Sequence, residues 1–320
     1  MREGKADNDN GNWLVLVNPH AGGKKAEKVW PGIRKLLVEA GFDIKCVFTE
    51  YRGHATQIVR KYIAEKGFEK IIAVGGDGTF NEVVNGIFSQ TKILTSDITL
   101  GMITVGTGND WGRMYGFPEG YKEQIEILKK GKTFLQDTGK VYYKYDKIKK
   151  YRYFVNIAGM GYDALVVKKT DKMKQKGGGG SAFAYLLNLL AGLFQFKNVD
   201  LAIESNGKTI FRGKVFSMSI GICKYNGGGM MQLPGAVPDD GLLDLTVIAK
   251  TTKWRVIKSI KKLYDGSFTA MPEVSQYRGK MFTVTSFPHN ALNLETDGEL
   301  LGHSPLVFEI LPKSLCIVVP

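Results

Sequence analysis

The chain carries one acidic residue, Asp77, inside a glycine-rich stretch at residues 74–81 that reads VGGDGTFN. Glycine tolerates positive φ and close approach of the backbone, so a turn of this composition can aim several backbone N–H groups at one point. Such an arrangement suits a phosphate group. A carboxylate beside a phosphate repels it unless a divalent cation lies close by, so the stretch predicts phosphate binding together with a cation.

The segments around this stretch alternate between apolar strands and helical patterns. From Trp13 the strands read WLVLVN, DIKCVFTE, KIIAVGG and ITLGMITVG, with a helical pattern after each of the first three. Uninterrupted apolar strands that alternate with helices predict a mostly parallel sheet covered on both faces. Ligands bind beyond the carboxyl ends of such strands, and the glycine-rich loops all fall there.

Beyond about Asp137 the pattern changes to strand-like runs separated by turn signals. The stretch ESNGKT, with Asn206-Gly207 between alternating strands, predicts a tight hairpin. Two helical patterns interrupt this half, an apolar one at 182–196 and a second at 254–264. These features predict an antiparallel β-sandwich.

We therefore expect an α/β plus all-β protein. Its predicted parts are a disordered N-terminal tail at 1–12, a nucleotide-binding α/β domain at 13–137 and a β-sandwich substrate domain at 138–309. The C-terminal segment at about 310–320 is a candidate to return to the first domain.

The composition bears on partners and location. Lys and Arg outnumber Asp and Glu by 44 to 31, a formal charge of +13, which favours anionic partners. Nucleic acid is not expected, because no basic and aromatic repeat or reader motif is present. Three separated cysteines suggest neither disulfides nor a zinc cluster, and the N-terminus lacks the apolar core of a signal peptide, so a cytoplasmic location is expected.

Four motifs occur in order along the chain: VNPHAGG on the first strand, GGDGTFNEVVNGI on the third, GTGND on the fourth and DGE near the C-terminus. Together they resemble the soluble diacylglycerol kinase and lipid kinase family, which includes sphingosine and ceramide kinases and is distantly related to NAD kinases and phosphofructokinases. The resemblance runs from about Leu14 to the C-terminus. It implies a nucleotide-binding α/β domain followed by a β-sandwich, with ATP and Mg²⁺ as cofactors.

Phosphate recognition must use the backbone, because the lysine-bearing GxxxxGK[ST] loop is absent. We expect it at the amides of Gly75, Gly76, Gly78 and Thr79, aided by the helix that begins there. The resemblance adds ATP contacts from three other loops, at Asn18, Pro19, His20, Ala21, Gly22, Thr49 and Thr107.

Polar residues beside these loops have less specific interpretations. Asn81, Glu82 and Asn85 either stabilise the first turn of their helix or contact a ligand. Asp110 in GTGND is expected to cap the helix that follows.

Two metal sites follow from the resemblance. A catalytic Mg²⁺ is expected at Asp77 and at Asp137 in LQDTGK, held largely through water, where it would neutralise the transferring phosphoryl group. A second, structural Mg²⁺ is implied at Asp240 with the backbone carbonyls of Val237 and Leu242. Asp137 and Asp240 also fit ordinary solvated turns.

The acceptor hydroxyl needs a group that takes its proton. ETDGELLG supplies Asp297 and Glu299, which would point the same way if both lay on a strand. By the resemblance Asp297 is the proton acceptor, and the catalytic set is Asp297, Asp77 and Glu299. The same letters also describe a hairpin turn with Asp-Gly at its tip.

A kinase that acts on a lipid must meet the bilayer. Between Lys140 and Lys176 the chain has eleven basic and three acidic residues, and each basic residue can contribute about 1 kcal/mol near an anionic leaflet. The apolar helix at 182–196 is too short to span a membrane and is either buried or interfacial. We expect a cytoplasmic protein in peripheral contact with the inner face of the membrane. The sequence leaves open whether two copies of the protein form a homodimer by pairing edge strands across a two-fold axis.

The function predicted from the sequence is an ATP- and Mg²⁺-dependent lipid kinase that phosphorylates the hydroxyl of a lipid alcohol, with diacylglycerol as the favoured acceptor and phosphatidic acid as the product. Two alternatives stay open. A NAD kinase-like phosphotransferase shares GGDGT, and a non-catalytic nucleotide- or lipid-binding protein would keep the fold without turnover.

Overall fold

The structure is a computed structural model that describes residues 12–106, 108–175 and 192–320. Residues 1–11 of the tail predicted at 1–12 and most of the apolar segment at 182–196 lie outside these ranges. The chain forms two compact units: the first runs to Gln136 and takes in Lys313–Pro320, and the second comprises Asp137–Pro312. No helix within the described ranges combines the length and the apolar character needed to cross a bilayer.

The first unit is built on parallel strands. Its strands are β1 (Trp13–Val17), β2 (Ile44–Phe48), β3 (Lys70–Gly75) and β4 (Thr99–Thr104). They lie in the order β2-β1-β3-β4, every pair parallel, and the C-terminal residues Cys316 and Ile317 pair with β4, also in parallel. All five residues of β1 are buried, as expected of a strand covered on both faces.

Helices cover this sheet. They are α1 (Ala21–Glu39), α2 (His54–Lys66), α3 (Asp77–Phe88), α4 (Asp110–Met114) and α5 (Tyr121–Lys130). On one face Trp30, Ile33 and Leu37 of α1 pack with the strand residues Val15 and Ile72 in a common core. Burial of these apolar faces is what gives such helices most of their stability.

Glu82 has a role that its sequence position did not indicate. Its buried carboxylate lies on α3 but accepts hydrogen bonds from Gly53 N (2.7 Å) and Ala55 N (3.2 Å) at the start of α2. The hydroxyl of Thr56 donates to the Glu82 carbonyl at 2.8 Å. Of the two interpretations open for Glu82, stabilisation of a helix start is the one seen, but the helix is the neighbouring one.

The second unit consists mainly of antiparallel strands. They are β5 (Thr133–Tyr145), β6 (Ile148–Phe154), β7 (Ile157–Gly161), β8 (Val199–Ser205), β9 (Lys208–Gly221), β10 (Tyr225–Asn226), β11 (Met230–Met231), β12 (Leu243–Ala249), β13 (Val274–Gly279), β14 (Met281–Phe287), β15 (Asn293–Thr296) and β16 (Glu299–Val318), of which β5 and β16 extend into the first unit. The predicted hairpin at Asn206-Gly207 joins β8 to β9, and both turn residues have positive φ.

The predicted sandwich requires a correction, because six strands of this unit close on themselves. The pairings run β8-β9-β7-β15-β16-β14 and return from β14 to β8, all antiparallel. Closure is possible because β9 and β16 are long enough to pair with different neighbours along their length. Parallel pairing is restricted to the first unit and most strand pairs of the described chain are antiparallel, so the sheet is mixed, with barrel-like closure.

Two helices pack against the outside of these strands. They are α6 (Tyr162–Gln175) and α7 (Lys253–Asp265). Val166 of α6 and Ile260 of α7 belong to one apolar cluster with Phe216 of β9. None of the residues of α7 is fully buried, so this helix covers the cluster only loosely. At the described end of the predicted 182–196 helix, Leu193 is buried and Phe194 is exposed.

We predict that Glu82→Ala lowers the free energy of unfolding by about 2 kcal/mol, because two N–H groups at the start of α2 lose their acceptor. Urea denaturation measures this change. Glu39→Ala on α1 is the matched control, since Glu39 is exposed and makes only a 3.7 Å ion pair with Lys35, worth less than about 0.5 kcal/mol. Equal effects of the two substitutions would refute the capping role.

Candidate active site

The loop after β1 is fixed by Asn18. Its side-chain Nδ2 donates to Thr79 Oγ1 at 2.9 Å, and its Oδ1 accepts from His20 N at 3.0 Å. Gly22, Gly23 and Lys24 then follow with left-handed φ values of 60°, 66° and 69° before the regular part of α1 begins. Glycine at two of these three positions permits the left-handed backbone without steric cost.

The loop between β3 and α3 is equally compact. A Cβ on Gly75 would lie 2.5 Å from Thr79 Oγ1, so glycine is required for the side chain of Thr79 to reach Asn18. Thr79 N donates to Gly76 O at 2.9 Å. The N–H group of Thr79 thus serves the first helical turn and its hydroxyl accepts from Asn18, while the phosphate contacts expected of the four loop amides stay a prediction.

Asp77 lies in the first turn of α3 and binds the start of α4. Its Oδ2 accepts from Asp110 N at 3.2 Å and its Oδ1 from Trp111 N at 3.1 Å. The capping of α4, expected of Asp110, is thus performed by Asp77. Asn109 at the N-cap position is left-handed, with φ 49°, and makes no side-chain cap.

Asp110 instead presents its carboxylate near that of Asp77. A Cβ on Gly108 would lie 3.3 Å from Asp77 Oδ2 and 3.4 Å from Asp110 Oδ2, so two carboxylates flank one backbone position that has no side chain. Arg113 partly balances the charge, with its Nε 3.7 Å from Asp110 Oδ1. Sequence reasoning assigned Asp110 no more than a capping role.

The remaining predicted ATP contacts lie on the loops at the carboxyl ends of the strands. Pro19 and Ala21 flank His20 after β1, and the buried Thr49 follows β2, where its N donates to Val17 O at 2.9 Å. A Cβ on Gly22 would lie 3.1 Å from Val105 O, so the loops after β1 and β4 also approach each other. Thr107 lies outside the described residues.

In the second unit, Asp297 sits in the two-residue turn between β15 and β16. Asp297 and Gly298 have φ values of 47° and 82°, a tight hairpin turn in which Thr296 pairs with Glu299. The buried carboxylate of Asp297 accepts three backbone hydrogen bonds at 3.1 Å, with Oδ2 bound by Val155 N and Oδ1 by both Asn156 N and Ile157 N.

Of the two interpretations open for this stretch, the hairpin turn is the one seen, and it separates Asp297 from Glu299. Glu299 Oε2 forms an ion pair with Arg152 Nη2 at 2.8 Å, whereas Asp297 is held by uncharged amides. A spacing of two residues predicts that two side chains point in the same direction only when both residues lie on one strand.

The predicted metal ligands of the second unit are held by the protein itself. Asp137 is fully buried and its Oδ2 accepts from Gly241 N at 2.7 Å. Asp240 accepts from Leu242 N at 3.0 Å and forms an ion pair with Arg278, which also binds Asp244 at 3.1 Å. Across the described ranges, no three His, Cys, Asp or Glu side chains are grouped as a direct metal site requires.

Two further acids, the buried Glu295 and the half-buried Asp163, were not identified from the sequence. Burial raises the pKa of Glu295 to about 8, with Asp163 and Asp297 adding repulsion, and burial raises the pKa of Asp163 to about 6 against the hydrogen bonds of Ser217, Ser219 and Gln232. The available signals were an acid directly after GMGY and a second acid two residues before Asp297.

An apolar cavity of about 50 Å³ lies between β9, β12, α6 and α7 of the same unit. Most of its lining is apolar, including Val166, Phe216 and Ile260. Its polar lining includes Asp163, Ser217, Ser219, Gln232 and Thr246. The Oγ1 atom of Thr246 is buried and has no hydrogen-bond partner, an uncommon condition in a folded protein.

Comparison with known proteins assigns both halves of the chain. The diacylglycerol kinase catalytic domain matches residues 12–141, and the YegS C-terminal NAD kinase beta sandwich-like domain matches residues 156–319. A diacylglycerol kinase of Staphylococcus carnosus is 29% identical to this chain over 307 residues, which cover 96% of this chain and 94% of the relative. A diacylglycerol kinase of Staphylococcus epidermidis is 31% identical over 307 residues, which cover 96% of this chain and 91% of the relative.

The fold is also found among solved structures. A crystal structure of a diacylglycerol kinase from Bacillus anthracis superposes with a TM-score of 0.70 at 22% identity and covers 97% of both chains. Because the sequence matches extend over nearly the whole chain and include the catalytic domain, the protein belongs to the diacylglycerol kinase family and is a lipid kinase.

Proposed function

We propose that this lipid kinase transfers the γ-phosphoryl group of ATP, with Mg²⁺, to the hydroxyl of diacylglycerol. The observation that carries the acceptor class is the cavity of the second unit, which combines an apolar lining with a small set of polar side chains. Both relatives named above are diacylglycerol kinases, which supports diacylglycerol among the lipid alcohols.

ATP is assigned to the glycine-rich loops of the first unit. The Asn18–Thr79 hydrogen bond joins the loop after β1 to the loop after β3, where the amides of Gly76 and Gly78 and the start of α3 favour an anion. The left-handed turn at 22–24 adds N–H groups of the kind that bind phosphate elsewhere.

The residues of the first unit fit a catalytic Mg²⁺ bound largely through water. Asp77 and Asp110 offer oxygen ligands, and their carboxylates flank Gly108, where no side chain intervenes. When bound, the ion would neutralise charge on the transferring phosphoryl group. Asp77 also keeps the start of α4 in place through two hydrogen bonds, so it has a structural and a ligand role. Asp137 stays a predicted ligand.

The second, structural Mg²⁺ does not fit the residues at Asp240. Arg278 already supplies positive charge to Asp240 and Asp244, and the remaining Asp240 oxygen accepts from Leu242 N. No step of the reaction is assigned to that site.

Asp297 is assigned as the acceptor of the hydroxyl proton. Three backbone N–H groups fix both of its carboxylate oxygens, so the group is oriented before an acceptor arrives. Glu299 is paired with Arg152, and a direct catalytic part for it stays a prediction.

We predict that Asp297→Asn lowers kcat at least about a hundredfold, because an amide cannot accept the proton. Asparagine tolerates the left-handed turn, so the fold should survive. Asp146→Asn is the matched control, because Asp146 is exposed and has a similar left-handed φ of 54° in another hairpin turn. The assay uses labelled ATP, Mg²⁺ and detergent-dispersed diacylglycerol.

The same assay separates the alternatives, with a sphingoid base, a polyprenol and NAD offered as other acceptors. Transfer to another lipid alone would change the substrate, and transfer to NAD alone would favour the NAD kinase-like alternative. Nucleotide binding without transfer to any acceptor would favour the non-catalytic one. Wild-type turnover by Asp297→Asn would exclude Asp297 as the proton acceptor.

The cavity has room for only one or two water-sized groups, so an acyl chain requires outward movement of the loosely packed α7. We predict that Ile260→Trp, which fills the cavity, raises the apparent KM for diacylglycerol at least about fivefold and leaves the KM for ATP unchanged. Ile148→Trp is the control, since Ile148 is exposed and is not part of the cavity lining. A similar KM for both variants would exclude the cavity as the acceptor site.

We also propose that the outer face of α7 rests on an anionic bilayer. The helix carries Lys253, Arg255, Lys258, Lys261 and Lys262, with Trp254 72% exposed and Tyr264 exposed. Its other side covers the cavity. A basic amphipathic helix with exposed aromatic residues is typical of an interfacial helix.

We predict that the double variant Lys258→Glu/Lys262→Glu binds vesicles containing phosphatidylglycerol at least about tenfold more weakly than wild type, because each basic residue contributes about 1 kcal/mol at such a surface. Vesicle sedimentation measures the binding. Lys61→Glu/Lys66→Glu on α2 makes the same change of charge elsewhere. Equal loss in both variants would indicate a general charge effect and no docking by α7.

A further inference from the structure

The fully buried Glu295 of β15 and Asp163 of α6 approach each other over Gly159 of β7. A Cβ on Gly159 would lie 2.3 Å from Glu295 Oε1 and 3.0 Å from the Cβ of Asp163. Glycine at this position makes room for two acidic side chains on one side of the sheet. Nothing in the assigned mechanism uses this pair.

Hydrogen bonds connect the two acids through side-chain amides. Gln232 Nε2 donates to Asp163 Oδ2 at 3.2 Å, and Asn226 Nδ2 lies 3.2 Å from Gln232 Oε1 and 3.3 Å from Glu295 Oε1, donating to both. Ser219 Oγ joins the same group, at 3.0 Å from Gln232 Oε1 and 3.3 Å from Asp163 Oδ2. Asp163, Ser219 and Gln232 are also residues of the cavity lining.

The second carboxyl oxygen of Glu295 is bound to the turn of Asp297. Gly298 N donates to Glu295 Oε2 at 3.0 Å, within the hairpin that joins β15 to β16. Glu295 therefore accepts one hydrogen bond from Gly298, the residue after Asp297, and another from Asn226, which belongs to the network that reaches the cavity. Thr246, a further polar residue of the cavity lining, lies on β12 of the same unit.

We propose that Glu295 is a positioning residue for the phosphoryl transfer, which holds the Asp297 turn in register and links it, through Asn226 and Gln232, to the polar lining of the acceptor cavity. The proposal rests on the assignment of Asp297 as proton acceptor. In this arrangement a hydroxyl-bearing lipid that binds Asp163, Gln232 or Thr246 also stabilises the hairpin turn that contains Asp297, the proposed base.

The protonation state of Glu295 matters to this role. Asp163 on α6 and Asp297 on the adjoining turn are the charged groups that face it, and they add to burial in raising its pKa to about 8. Gly159 and Asn226 bring no charge, and Glu299 is paired with Arg152. Glu295 is thus neutral at pH 7. As pH rises through about 8 it ionises, and its new charge repels Asp297.

We predict three results from kinetics at pH 7 with detergent-dispersed diacylglycerol. Glu295→Ala lowers kcat at least about tenfold, with the KM for ATP within about twofold, because the turn loses its acceptor at Gly298 N. Glu295→Gln keeps an oxygen for that bond and stays within about threefold of wild type. Glu204→Gln, an exposed residue on β8, matches wild type.

The pH profile supplies a readout that a purely structural role would not change. Wild-type kcat falls above about pH 8 as Glu295 ionises, and Glu295→Gln lacks that decline. An unchanged kcat in Glu295→Ala, equal losses in the Ala and Gln variants, or the same decline in Glu295→Gln would each overturn the proposal. Thermal unfolding of each variant verifies that it is folded.

A measurement without turnover separates this proposal from the proposed function. In NMR spectra of the full chain, the Gly298 amide proton should titrate near pH 8 in wild type and not in Glu295→Gln. If no lipid is phosphorylated but the amide titrates, the proposed function fails and the link between Glu295 and the turn stands. If the lipid is phosphorylated but the amide does not titrate, the positioning role is refuted.

Discussion

Both units depend on buried or half-buried carboxylates that accept hydrogen bonds from backbone N–H groups of distant segments. Asp77 binds the start of α4, Glu82 binds the start of α2, and Asp297 binds three consecutive amides at the start of β7. A buried carboxylate without donors is very costly, and an N–H group at a helix start lacks an internal partner. Each bond therefore satisfies two groups and fixes the distance between two loops.

This way of holding acids has chemical consequences. The backbone amides that bind Asp77 and Asp297 bring no formal charge to these carboxylates. Asp240 and Glu299 are held differently, by Arg278 and Arg152, and their charge is neutralised within the protein. An amide-held carboxylate can serve the reaction, as proposed for Asp297, or the structure alone, as Glu82 does.

Much of the fold could be predicted from the sequence, because it depends on local patterns. The strand β1 is predicted by a run of adjacent apolar residues, and the turn at Asn206-Gly207 is predicted by the types of its two residues. The partner of Glu82 and the strand closure through β9 and β16 depend on contacts between remote segments, which a single sequence does not display. The Asp163–Glu295 pair was missed for the same reason, since their pKa values arise from burial and mutual approach. The reversed capping roles of Asp77 and Asp110 follow from how two loops meet.

The pairing of the C-terminal residues with β4 has a consequence for biosynthesis. Cys316 and Ile317 complete the sheet of the first unit, although the whole second unit precedes them in the chain. During translation β4 therefore stays an uncovered edge strand until residues 316 and 317 have been synthesised, a delay of tens of seconds at about 5–20 residues per second. An uncovered edge strand offers unpaired backbone groups to other chains, so the late pairing of β4 lengthens the time in which such contacts can form.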